Sequence, residues 1–312
     1  MTERRKNTPV TNTGRTGASV ALLSSFTAPL GLLLLYSSSA AVMEAAAEGT
    51  PLSSYIGMVG ILVGGLILFA LGVLSTASST ALYVLTAWAG VLALVFTVPR
   101  SVRESPFGRR WFAFDVVLAP LTWSWLPLLI FCACVGATVS VILVRRWQQE
   151  AAPLAEPTVL RDKNAQNGAI SILVSLVLVA VLWVTVVEQA PANLEPFALF
   201  GAQGLNMPAR SGVALAISCG VVFILAVSTA HSTLGVTVGA TLLMLLPGLL
   251  LIPLWGTLTG QVATPSAPAE TMVALASPVM ATIGATLLGT TVPIHYLRLA
   301  GWNPETQSVS QD

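Results

Sequence analysis

The chain has 312 residues, of which 55% are hydrophobic and only 9% charged, and its net charge is +1. A soluble domain carries roughly 25% charged residues, so charges this sparse cannot cover a water-facing surface of this size. The near-zero net charge gives no bulk attraction to nucleic acid, and the remaining option is a chain solvated by lipid.

A membrane helix needs about 20 mainly apolar residues. Eight segments supply them, near 19–42, 56–76, 80–98, 118–144, 169–187, 212–230, 233–254 and 272–292, with no Lys, Arg, Asp or Glu in any central part. Arg4, Arg5 and Lys6 before the first segment, and Ser/Ala-rich 37–47 after it, have the layout of a secretory signal. The apolar stretch is long for such a signal, and a matching segment opens the second half, so it is read as a retained span.

The second and third segments form one uncharged stretch, 57–98, broken only by Ser75-Thr76-Ala77-Ser78-Ser79-Thr80. The sixth and seventh form another, 213–254, broken by Ser228-Thr229-Ala230-His231-Ser232-Thr233. Ser and Thr hydroxyls bond freed backbone groups and favour turns and caps, so each stretch is read as a tight hairpin.

Eight spans put both termini on one side. With that side in the cytoplasm, Arg4, Arg5, Lys6, Arg15, Arg145, Arg146, Arg161, Lys163 and Arg298 lie inside, nine of the 14 basic residues. The positive-inside rule then favours an N-in, C-in protein. The exception is 99–115, PRSVRESPFGRRWFAFD, which sets Arg100, Arg103, Arg109 and Arg110 on the outer face. Either a span is miscounted, or this loop contacts an anion or lipid headgroup, or the arginines snorkel to the interface beside Trp111 and Phe112.

The two hairpin turns match in five of six positions at an offset of 153. Val135-Gly136-Ala137-Thr138 resembles Ile283-Gly284-Ala285-Thr286 at 148, and Gly17-Ala18 resembles Gly168-Ala169 at 151. Three matches in order at nearly one offset indicate a tandem duplication of a four-helix unit. With four spans per unit the repeats are parallel, about an axis along the membrane normal. The divisions are a cytoplasmic N-tail 1–16, a first half 17–144, a polar linker 145–167, a second half 168–295 and a cytoplasmic C-tail 296–312.

Within this all-α frame, several residues are candidates for function. Gly57, Gly60, Gly64, Gly65 and Gly72 form one helical stripe, and Gly60/Gly64 and Gly235/Gly239 are GxxxG pairs. Small residues let helices approach closely in lipid, so packing within the chain is the first reading and a subunit interface the second. Thr233, Thr237 and Thr241, and Thr282, Thr286 and Thr290, recur at helical spacing. Thr237, Thr241, Thr282, Thr286 and Thr290 form a candidate polar pathway, although threonine more often bonds its own helix. Pro29, Pro120, Pro127, Pro247, Pro253 and Pro278 interrupt spans, and Pro247-Gly248 is the candidate hinge. His231 and His295 have no acidic neighbour at relay spacing and are read as solvated residues. The outer loop 188–211 mixes Leu, Phe and Met with polar residues, as an interfacial amphipathic element does.

Cys132, Cys134 and Cys219 lie in apolar runs and are read as packing residues. Neither a disulfide framework nor a zinc site is indicated. The chain has no P-loop, HExxH or GxSxG and no carboxylate pair within the spans, so no catalytic residue, metal site or cofactor is expected, and the chain is not read as an enzyme. The expectation is a multi-pass protein in the cytoplasmic membrane of a bacterium. The first functional reading is a permease-like subunit for a neutral or apolar solute, with the lipid bilayer, other membrane subunits or an ATPase as partners. The alternatives are a non-catalytic scaffold or accessory subunit, and an envelope lipid-processing protein.

Overall fold

A long apolar run in lipid can satisfy its backbone polar groups only by coiling on itself. The computed structural model describes residues 13–49, 51–97, 119–151, 159–205, 210–246 and 268–300, and among these it contains helices and turns but no strand. In chain order the helices are α1 (Thr13–Ala47), α2 (Tyr55–Ala77), α3 (Thr80–Thr97), α4 (Leu126–Ala151), α5 (Val159–Gln189), the short α6 (Glu195–Phe200), α7 (Gly212–Ser228), α8 (Thr233–Leu243) and α9 (Pro268–Ala300). Every predicted segment therefore contains a helix.

Five stretches are long and apolar enough to cross a membrane: Gly17–Ala47, Tyr55–Thr76, Leu126–Trp147, Gly168–Gln189 and Thr271–Leu297. Three shorter apolar stretches, Thr80–Phe96, Gly212–Ser228 and Thr233–Leu246, lie in α3, α7 and α8. At about 1.5 Å per residue a helix of this shorter kind falls somewhat short of the ~30 Å hydrocarbon core. By length and composition these helices fit a membrane protein.

Two sequence expectations change. The fourth segment was expected to be helical from 118, but the helix starts only at Leu126, after a 3-10 turn at Ala119–Leu121 and a bend at 122–125. Trp125 closes that bend at φ 49°, in the left-handed region that a bulky residue rarely adopts. Trp123 is fully buried there, and its indole N–H donates to Met43 Sδ of α1 at 3.2 Å. The prolines also break less than expected. Helix α1 runs on through Pro29, and α9 through Pro278 and Pro293. Each proline forfeits one backbone bond, a loss that neighbouring helices and hydroxyls accommodate in a membrane.

Helix α9 is the axis of the bundle and packs on α1, α2, α4, α5 and α8. Its most apolar stretch is 78% buried, against 22% for that of α5 and 28% for that of α1. The packing partners follow a common scheme. In the first four helices α1 packs on α2 and α3, and α3 on α4; in the last four long helices α5 packs on α7 and α8, and α8 on α9. The remaining large contacts cross between the sets: α2 on α9, α7 on α4, α4 on α9 and α1 on α9.

Glycines set the closest approaches. A Cβ on Gly64 would stand 2.6 Å from Leu35 Cγ, and one on Gly57 2.8 Å from Val42 of α1, while Gly60 faces Ser38. Gly65 and Gly72 turn instead to α9, against Ala285 and Pro293. The α2 stripe is thus split between two helices of its own chain. Gly235 and Gly239 of α8 meet Ser171, Ser175 and Val179 of α5.

Candidate functional site

The threonines of the candidate pathway are found on two packed helices, α8 and α9. Thr282, Thr286 and Thr290 are fully buried on α9. Each hydroxyl donates to the carbonyl four residues back, Pro278, Thr282 and Thr286 in turn, at 2.8 Å. Ser39 of α1 also reaches the Pro278 carbonyl, at 3.4 Å. Thr237 and Thr241 are half-buried on α8, and Thr237 donates to the Thr233 carbonyl at 2.8 Å. The hydroxyls of Thr237, Thr282, Thr286 and Thr290 are therefore spent on their own helices. Pro247 and Gly248 lie outside the described residues, but the helix widens to a π turn at residues 244–246 immediately before them. Arg100, Arg103, Arg109 and Arg110 also lie outside the described residues.

Sequence reasoning missed a polar cluster between α5 and α7. Gln189, in the last turn of α5, is 1% exposed. Its Nε2 donates to the Thr185 carbonyl at 3.0 Å and to Ser218 Oγ of α7 at 3.2 Å. Ser218 donates in turn to Thr185 Oγ1 at 2.8 Å. Both amide hydrogens are thus engaged, while Oε1 is buried with no hydrogen-bond partner among the described residues. Exchanging the amide's O and N would set an oxygen against the Thr185 carbonyl, so the network fixes the orientation. A buried acceptor left unmade costs about 1–3 kcal/mol; the site has an acceptor to offer a donor. The signal in the sequence is the i, i+4 pair Thr185 and Gln189, which straddles the expected end of the fifth span at 187.

At the offsets of 151 and 153 that the expected duplication uses, Thr185 and Ser218 would fall on Leu34 and Gly65, but Gly65 packs on Ala285 of α9 and not on α1. Thr86 of α3 bonds the Cys134 carbonyl at 3.2 Å and Thr138 Oγ1 at 2.8 Å on α4. A Cβ on Gly284 of α9 would stand 2.7 Å from the Ala240 carbonyl oxygen of α8, whereas Gly136 of α4 turns to Ala226 and Phe223 of α7. Within the hairpins Ser75 and Ser228 both donate three residues back, to Gly72 and Leu225, and Thr76 and Thr229 do so to Val73 and Ala226.

The two hairpin turns meet the end of α4. Arg145 donates to the Ser75 carbonyl at 3.0 Å. Two residues on, the Trp147 ring packs on His231 with centroids 5.0 Å apart. His295 Nδ1 lies 3.1 Å from Thr233 Oγ1, at the start of α8. Gly17 of α1 approaches Ser78, and Gly168 of α5 approaches Leu234. These contacts gather both turns, the start of α1, the apolar start of α5 and the ends of α4 and α9 at one end of the bundle. No group of three metal-binding side chains occurs among the described residues.

Comparison with protein families, with characterised proteins and with solved structures finds no match to this chain.

Proposed function

We propose that the chain is an eight-span membrane subunit built from two duplicated four-helix halves, and that it handles a neutral solute in the manner of a permease. The observation that carries this reading is the exchange of partners between halves. The second helix of each half packs on the fourth helix of the other, α2 on α9 and α7 on α4, around a central α4–α9 contact. Parallel repeats about an axis normal to the membrane are a common plan for carriers that rock one half against the other. The common packing scheme of the two sets, α1 on α2 and α3 with α3 on α4, and α5 on α7 and α8 with α8 on α9, supports duplication. The free acceptor of Gln189 favours a solute with a hydroxyl or N–H donor. The membrane is a bacterial cytoplasmic membrane with both termini inside, as the balance of basic residues favours. Reconstitution into vesicles, with and without proteins that copurify, tests the reading: flux of a small polyol or amide, or an associated ATPase, supports it. A tight vesicle with no flux of any such solute and no copurifying ATPase would sink it.

A second reading, a non-catalytic accessory subunit, is favoured by the threonine column of α9, whose hydroxyls bond their own backbone. Mild-detergent purification distinguishes it: an accessory subunit runs in a larger complex, and a self-sufficient carrier does not need one.

A further inference from the structure

Helices α4 and α7 run parallel with a register fixed at three levels. Ser140 Oγ lies 2.8 Å and 2.9 Å from the carbonyl oxygens of Ala226 and Val227. One turn earlier, a Cβ on Gly136 would stand 2.7 Å from Ala226 Cβ and 2.8 Å from the Phe223 carbonyl oxygen. Stepping back a further four residues on each helix keeps the same faces opposed and reaches Cys132 and Cys219. The two side chains face each other across α4 and α7, and both are half-buried. The glycine approach one turn away holds α4 and α7 close together at this level, and a disulfide requires Cα atoms roughly 4.4–6.8 Å apart. Cys134 is fully buried, and its carbonyl bonds Thr86 of α3. Two residues from Cys132 on a helix, it is turned away from that face.

We propose that Cys132 and Cys219 form a reversible redox link between the two halves of the chain. Thiolates are disfavoured in apolar surroundings, so a water-borne disulfide is a poor reactant here and a lipid-soluble oxidant of the quinone class is the fitting one. The two thiols give up two protons and two electrons, an S–S bond forms between Cys132 and Cys219, and the quinone takes up both protons and both electrons to become the quinol. A dithiol reductant reverses the step. The bond ties α4 to α7 and so limits any motion of one half against the other. The proposal stands on the α4–α7 register and not on transport.

The test uses the full chain in membranes with a specific protease sequence inserted between residues 152 and 158, treated with decyl-ubiquinone or, separately, with copper–phenanthroline. After cleavage and non-reducing electrophoresis, both oxidants are expected to leave the halves joined in one band that dithiothreitol splits. Cys132→Ser and Cys219→Ser should each abolish that band, and Cys134→Ser should leave it. No joined band with either oxidant, a band with copper–phenanthroline alone, or a band that survives Cys219→Ser would each overturn the proposal.

Discussion

Gly72 of α2 sits so close against Pro293 of α9 that a Cβ on it would stand 2.5 Å from the proline ring and 2.7 Å from the Gly289 carbonyl oxygen. Neither neighbour is the free end of a flexible side chain. Replacing Gly72 with Val should push α2 off α9 and lower stability by about 1–3 kcal/mol, the usual range for overpacking. Gly220→Ala, whose Cβ meets open space, should change stability by less than about 0.5 kcal/mol. Thermal unfolding of the two variants in detergent compares them directly, and equal melting curves would contradict the α2–α9 contact.

Gln189 gives a test that separates stability from solute handling. Gln189→Leu removes an unpaired buried acceptor along with its amide donors, and Thr185 and Ser218 still bond each other. The groups left behind keep other partners, Ser218 on Thr185 and Thr185 on the Leu182 carbonyl, so no buried donor is stranded and the melting temperature should change little. Solute-dependent stabilisation, or flux, should be lost. A variant that retains full solute response would remove Gln189 from the site.

Threonine on α9 makes the opposite prediction. Thr282→Val, Thr286→Val and Thr290→Val each remove a hydroxyl that donates only to its own helix. Each should cost no more than about 1 kcal/mol and leave flux unaltered. A large loss of flux with stability intact would restore these residues to a solute path.

The end of α4 holds the two hairpin turns separately. Trp147→Ala should speed hydrogen exchange at Ala230, His231 and Ser232, whose N–H groups bond Val227 and Ser228. Arg145→Ala should act on Ser78, whose N–H bonds the Leu74 carbonyl. Exchange mass spectrometry should find each effect confined to its own turn, and equal protection in variant and parent would argue against both contacts.

Much of the helix layout was legible because uncharged length is a strong signal. The starts of α3 and α8, at Thr80 and Thr233, fall where the two Ser/Thr turns end. Helix ends were less legible. Ala and Ser continue a helix without a hydropathy signal, so α1 runs to Ala47, beyond the expected end at 42. The polar linker was expected from 145, yet α4 continues to Ala151 because Arg, Trp, Gln and Glu are also helix-compatible. Within 188–211 a short helix, α6, forms, with Leu199 and Phe200 75% and 68% exposed. The glycine stripe was visible as a packing surface, but periodicity does not name partners, and α2 shares its glycines between α1 and α9. Gln189 escaped notice because a lone glutamine beside Glu188 looks like the start of a loop. Only the approach of Ser218 from α7 makes it a buried cluster.

Sidedness tests the eight-span, two-half account most directly. In a cysteine-free chain, single cysteines at Ser79 and Ser232 mark the two hairpin turns, and cysteines at Ser53 and Ser105 mark the opposite face. A membrane-impermeant maleimide added to intact cells should label Ser53→Cys and Ser105→Cys, and should reach Ser79→Cys and Ser232→Cys only after permeabilisation. Labelling of Ser79→Cys and Ser232→Cys from opposite sides, or protection of Ser105→Cys in intact cells, would contradict the account.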